Sequence, residues 1–501
     1  MKKLLAVVCV FSFILLSSCE LLLALLLEGE SDQWYEGNPS SGNFWAVNFK
    51  NNKHYRVDAV LAYEGTNCKV YAEKSANVSN VQAKAMADEY DKNIFPKMVN
   101  AFSMKNFSIE DGSESYNFTD IMKFASWFVD GDGKLCILLL DIKDDYKKGV
   151  NNSYVAGYFW GGDFTNRNGS NGRDMIYIDV NPGLDPDNIK DTYKTLAHEM
   201  QHLMNFATSL VLMVEEKRSE LMDTWVDEGL ASAAEWVYSG EYEKARINWF
   251  KNNGNYYENG NKAMTGLIDK GNTFFVWDNR GKENQYAVLD DYATVNIFFQ
   301  WLRLQSNDSI YRDIITSEYY DYQAVTSAFA IHVPTINTWD KLLSSWFAAN
   351  HINAPSGLYG YRDETDLKDI KVPAPASLTL TLSLAPGEGV YSKTSINPNF
   401  NGIGNIKYAY LSSSTMSSYH SANSTLLTYN ANIKTDGSSE NGSTTGVPIA
   451  ASSVDTVSID RSAVYAPERP YRIDAGEMLR NKPVDMEQLK GFRRISRVEH
   501  E

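Results

Sequence analysis

The chain has 501 residues, 43% of them hydrophobic and 13% aromatic, which is enough apolar material for about two to four packed domains and too much for a disordered chain. Its formal net charge is -16, from 63 acidic and 47 basic residues. With no Lys and Arg cluster outside the extreme C-terminus, this balance argues against nucleic acid as a partner, because phosphate contacts need clustered cations.

At the N-terminus, Lys2 and Lys3 form a short basic region and Leu4 to Leu16 an apolar one. The tetrapeptide Leu16-Ser17-Ser18-Cys19 that follows resembles the bacterial lipobox, at which a signal peptidase cuts before an acylated cysteine. On that reading residues 1–19 are a lipoprotein signal peptide, Cys19 becomes the lipid-bearing N-terminus, and residues 20–35 tether the chain to a membrane. A second apolar run, Leu21 to Leu27, keeps an uncleaved membrane helix open. Glu20 would then sit near its middle, where a charge is costly. Both readings place the rest of the chain outside the cytoplasm, at the cell surface or in the periplasm. Cys68 and Cys136 are then the remaining cysteines, each in a strand-like run. They either pair in an oxidising compartment or are buried as small apolar side chains.

Residues 36–120 read as a small α+β lead-in. Val57, Ala59, Leu61 and Tyr63 alternate with polar residues, as do Cys68, Val70 and Ala72, predicting strands from Phe44 to about Ala76. A helix follows from Ser79, as N-cap, to about Phe102. Asp130-Gly131-Asp132-Gly133 then reads as a turn before the apolar strand Leu135 to Leu140. A calcium loop is the alternative, but Lys134 and Leu135 stand where an EF-hand needs a ligand and a glycine. Met175 to Asp179 is a further strand.

Thr195 to Phe206 contains His198-Glu199-Met200-Gln201-His202, the H-E-x-x-H pattern. On a helix, residues four apart share a face, so both imidazoles can address one metal ion while Glu199 flanks it as a proton acceptor. Leu196, Ala197, Met200, Leu203 and Met204 form an apolar stripe that shelters such a site. A catalytic zinc site takes three protein ligands and leaves one position open. The Gly-x-x-His extension of metzincins is missing, since Asn205-Phe206-Ala207 follows. The third ligand is instead sought in the helical run Trp225 to Trp236, where Glu228 and Glu235 are seven apart and share a face. Glu228 is favoured, because Gly229 would let the two helices approach closely beside the metal. Glu235 then sits two turns away, as an outer partner or a solvated charge. Asp227, Glu215, Glu216 and Glu220 are the remaining candidates.

Beyond Glu235 the chain is largely helical, with apolar stripes in Tyr292 to Leu304 and Trp339 to Ala349. Lys371-Val372-Pro373-Ala374-Pro375 reads as a linker, Ser377 to Leu384 as a half-buried strand, residues 371–465 as a β-rich accessory domain, and residues 466–501 as a charged tail with at most a short helix.

The order His198-Glu199-x-x-His202 followed by Trp225-Val226-Asp227-Glu228-Gly229-Leu230-Ala231 resembles the gluzincin peptidases. More narrowly, residues 198–206 with Glu228-Gly229-Leu230, the Asp-Gly-Asp-Gly turn, the strand after it and Gly157-Tyr158-Phe159 are similar to the hyicolysin family of secreted bacterial metallopeptidases, over roughly residues 120 to 350. The resemblance implies an α+β fold with a zincin-type domain at residues 121–370, with zinc (Zn2+) held by His198, His202 and Glu228 and endopeptidase activity on protein or peptide substrates. Glu199 would accept a proton from water and pass it to the leaving amine. Tyr292 lies where gluzincins supply an oxyanion donor, although in a chain with 30 tyrosines a packing role competes. Ser232 departs from thermolysin-like enzymes, which carry Asp four residues after the ligand Glu, and leaves open what orients the histidines. Two rival functions remain. One is an inactive or adhesive surface lipoprotein on the same scaffold, which the intact His198, Glu199 and His202 argue against; the other is a zinc store, which the placed glutamate argues against.

Overall fold

The computed structural model describes residues 42–431 except 52, 112–113, 145, 149–153, 165–168, 252–254, 259–260, 266–287, 375–380, 383–386, 394–405, 420 and 422, together with 447–448 and 492–497. The proposed signal peptide, Cys19 and the tether lie outside the described residues.

Partly alternating outer strands and continuously apolar inner ones build the central sheet. β1 (Asn43–Asn48), β2 (Lys53–Glu64) and β3 (Cys68–Glu73) precede a separate hairpin of β4 (Lys105–Asp111) and β5 (Glu114–Asp120). β6 (Leu135–Leu140), β7 (Gly157–Phe159) and β8 (Met175–Asp179) complete the sheet, in the order β1-β2-β3-β6-β8-β7. β3, β6 and β8 run parallel, and β7 closes one edge antiparallel to β8. Every residue of β6 is buried, as expected of a parallel strand covered on both faces.

Register decides the cysteines. Cys68 pairs with Leu135 and Lys69 with Cys136 across β3 and β6, so the two thiols point to opposite faces of the sheet. Both are free and buried, in separate apolar clusters. The alternation read in β2 holds through Val57 and Ala59 but fails at Leu61, which is 47% exposed. A register shift between Leu61 and Tyr63 in the β2–β3 ladder turns that side chain outward.

Ser79 caps α1 (Asn80–Glu89) with a reciprocal capping box to Gln82. The expected long helix widens over Tyr90–Ile94 before α2 (Phe95–Phe102), with the Phe95 N–H bonded back to the Tyr90 carbonyl. Pro96 has no N–H to continue the ordinary ladder there. After α3 (Ile121–Val129), Gly131 and Gly133 adopt φ of +70° and +76°, which makes the Asp-Gly-Asp-Gly segment a turn. Its carboxylates face cations: Asp132 lies 2.7 Å from Lys69 and Asp130 3.7 Å from Arg173.

α4 (Ile189–Val214) lies on the sheet face made by Val70, Ile137, Leu139, Ile176 and Ile178, and shares one core with them. Met200 and Leu203 are completely buried in it, and truncating either to Ala would cost about 2–5 kcal/mol. α5 (Thr224–Ser239) packs along α4, followed by α6 (Lys244–Lys251), α7 (Val288–Gln305), α8 (Ile310–Ile315), α9 (Tyr322–His332) and α10 (Trp339–Ile352). A short hairpin, Asn255–Glu258 with Asn261–Thr265, interrupts the expected run of helices. Among the described residues no helix is long and apolar enough to cross a membrane.

Strands Gly389–Ser392, Ile406–Leu411, Met416–Ser417 and Thr425–Asn430 form an antiparallel sheet within the expected accessory region. Its Tyr391, Leu411, Leu427 and Tyr429 join the same core as α10, and the Tyr391 hydroxyl donates to the Phe347 carbonyl at 2.7 Å. Of the strand expected over 377–384, Thr381–Leu382 is described, paired with Val447–Pro448; the rest lies outside the described residues. In the expected tail, Phe492–Arg497 is a strand beside β4 and not a helix, with Arg493 opposite Glu110 in the register.

Candidate metal centre

His198 and His202, one turn apart on α4, are buried with ring centres 4.8 Å apart. α5 brings Glu228 against them, its Oε2 lying 3.5 Å from His198 Nε2 and 3.8 Å from His202 Nε2. Among the described residues this is the set of three His, Cys, Asp or Glu side chains whose ligand atoms lie within 4.8 Å of one another. None of the three converging atoms has a hydrogen-bond partner among the described residues. A buried polar atom left without a partner costs about 1–3 kcal/mol. Three such atoms aimed at one point, two imidazole nitrogens and a carboxylate oxygen, fit a divalent cation of the zinc kind.

The opposite side of each imidazole is also held. His198 Nδ1 lies 2.7 Å from Glu235 Oε1, and His202 Nδ1 lies 3.0 Å from Asp227 Oδ2. Asn205 donates to the other Asp227 oxygen. A proton on Nδ1 given to a carboxylate leaves the Nε2 lone pair for a metal. Glu235, and not the side chain at position 232, therefore faces His198 Nδ1. Its sequence position seven after Glu228, on the same helix face, was the available signal. Asp227, a candidate ligand from the sequence, instead faces the far nitrogen of His202.

Glu199 is buried beside the pair, and its Oε2 accepts the Phe159 N–H at 2.9 Å. This bond needs β7 close to α4. A Cβ at Gly157 would stand 2.9 Å from Thr195 Cγ2 and 2.8 Å from the Tyr177 carbonyl oxygen, so only glycine permits the approach. Beyond its part in the family resemblance, Gly157-Tyr158-Phe159 gives no sequence sign of this contact, because a backbone donor carries no residue-type signal.

Tyr292, on α7, is brought to the site, where its hydroxyl donates to Glu228 Oε1 at 3.3 Å. Glu228 converges on the histidines, but not because Gly229 brings α5 close to α4. A Cβ at Gly229 would collide with the Phe299 ring, so that glycine lets α5 approach α7, not α4. Glu215 pairs instead with Lys217 at 3.6 Å, and neither Glu216 nor Glu220 belongs to the converging set.

Burial alone would lower the His198 pKa, but the Glu228 and Glu235 carboxylates outweigh it and raise it to about 10. For His202, burial is likewise outweighed by Asp227 and Glu228, in the same direction. Burial pushes Glu228 up, yet the two imidazoles carry it below its ordinary value. Protons and a cation compete for such nitrogens, so metal uptake at this cluster depends on pH.

No family model matches the chain. It is similar to the neutral metalloprotease ShpI of Staphylococcus hyicus, 29% identical over 358 residues that cover 70% of this chain and 71% of that protein. The likeness supports a metallopeptidase, and His198, His202 and Glu228 stand close together as such an enzyme requires.

Proposed function

We propose that the chain is a zinc-dependent endopeptidase acting on protein or peptide substrates outside the cytoplasm, held to a membrane by lipid on Cys19. The reading rests chiefly on the convergence of His198 Nε2, His202 Nε2 and Glu228 Oε2, buried and without hydrogen-bond partners among the described residues, beside Glu199. When bound, zinc supplies Lewis acidity toward water and toward a peptide carbonyl. Glu199, oriented by the Phe159 N–H, accepts the proton of the attacking water and returns it to the leaving amine. Tyr292, whose hydroxyl reaches the edge of the site at Glu228, is the proposed donor to the oxyanion. The export and anchor rest on Lys2, Lys3, the apolar run and Leu16-Ser17-Ser18-Cys19.

The test is casein hydrolysis by the purified full chain, with metal content measured in parallel. The expected result is one zinc per chain, loss of hydrolysis with a chelator, and recovery on adding zinc back. Hydrolysis indifferent to the chelator, or a chain with neither zinc nor activity, overturns the proposal.

A further inference from the structure

Ser232 and Glu235, three apart on α5, meet at one cation. Arg246, on α6, is buried at 8% exposure. Its NH2 nitrogen lies 3.1 Å from Glu235 Oε1, the same oxygen that faces His198 Nδ1. Its NH1 nitrogen donates to the Ser232 hydroxyl. Its guanidinium carbon stands 5.2 Å from the centre of the Tyr292 ring, whose hydroxyl donates to Glu228. Trp249, one turn later on α6, donates its indole N–H to Asp290 at 2.7 Å and so fixes α6 against the start of α7.

We propose that Arg246 is the positioning residue of the metal centre: one guanidinium holds both the carboxylate that aims His198 and the phenol that aims Glu228. The inference rests on the zinc reading above. A planar guanidinium suits the task, because its two terminal nitrogens address a carboxylate and a hydroxyl together while its face lies against an aromatic ring. A Lys ammonium offers a point charge and no fork. The helix spacing explains why Ser, and not Asp, can stand at 232. With Glu235 already on His198, a small hydroxyl there accepts from Arg246 and leaves the guanidinium free to reach one turn further along α5.

The test compares zinc affinity, by competition with a chromophoric chelator, in the wild type, Arg246→Met, Arg246→Lys, Glu235→Gln and the Glu235→Gln/Arg246→Met pair, with circular dichroism on each. Arg246→Met should weaken zinc by about 10 to 100-fold, the range for residues that hold a metal ligand from outside. Arg246→Lys should fall between it and the wild type. The double variant should lose less than the product of the two single losses, because both act on His198. A folded Arg246→Met with wild-type zinc affinity, or losses that multiply, overturns the inference while leaving the zinc reading intact. Should Arg246→Met not fold, Arg246→Lys carries the test, and wild-type affinity in it overturns the role of the fork. A wild-type chain that takes up no zinc overturns the zinc reading and this inference with it.

Discussion

Glu235 and His198 meet at 2.7 Å through the imidazole nitrogen that does not face Glu228. The two glutamates of α5 thus flank one histidine on its two sides, only Glu235 within hydrogen-bond distance, and their loss should not be equivalent. Glu228→Ala removes a converging ligand atom and should leave the chain without stoichiometric zinc after dialysis. Glu235→Ala should keep zinc with affinity weakened about 10 to 100-fold. Zinc retained by the Glu228 variant and absent from the Glu235 variant would reverse the assignment.

Asp163, in the turn after β7, accepts the Asn171 N–H and the Tyr177 hydroxyl, both at 2.7 Å. Burial pushes its carboxyl from 3.8 up to about 7. The folded chain therefore keeps the proton while the unfolded chain loses it, so the contribution of Asp163 is full below about pH 4 and is lost as the pH rises to about 7. Asp163→Asn cannot titrate. Between pH 4 and 7 the Tm difference should move in favour of the variant, then level off. A difference constant across that window contradicts the assignment.

Cys19 is the proposed lipid site, and Cys19→Ser should abolish incorporation of labelled fatty acid and move the protein out of the detergent phase. Unchanged partition would favour the uncleaved membrane helix instead.

The helices that carry the site were legible because their signal is local. The spacing of His198 and His202, the apolar stripe from Leu196 to Met204 and the run Trp225 to Trp236 are each contained within a few turns, and α4 and α5 follow them. α7 and α10 also answer to stripes of this kind. What the sequence left open depends on partners far along the chain. The hold on Glu199 is a backbone N–H of Phe159, and the hold on Glu235 is Arg246 from the next helix. Gly229 was assigned to the wrong neighbour, because a glycine announces a close approach without naming what approaches. Leu61 faces outward through a slip in strand pairing that alternation alone does not reveal. The pairing of Cys68 and Cys136 was likewise undecidable until the β3–β6 register put them on opposite faces.

The proposed role of Glu199 is that of a base beside a bound zinc, not of a ligand to it. Glu199→Gln preserves the size of the side chain and an oxygen for the Phe159 N–H, and removes the basicity. Zinc content and peptide hydrolysis measured on the same preparation of that variant separate a base from a ligand. Stoichiometric zinc with hydrolysis reduced by at least about 100-fold is the expected result; near-normal turnover by the zinc-loaded variant overturns the role of Glu199 as base.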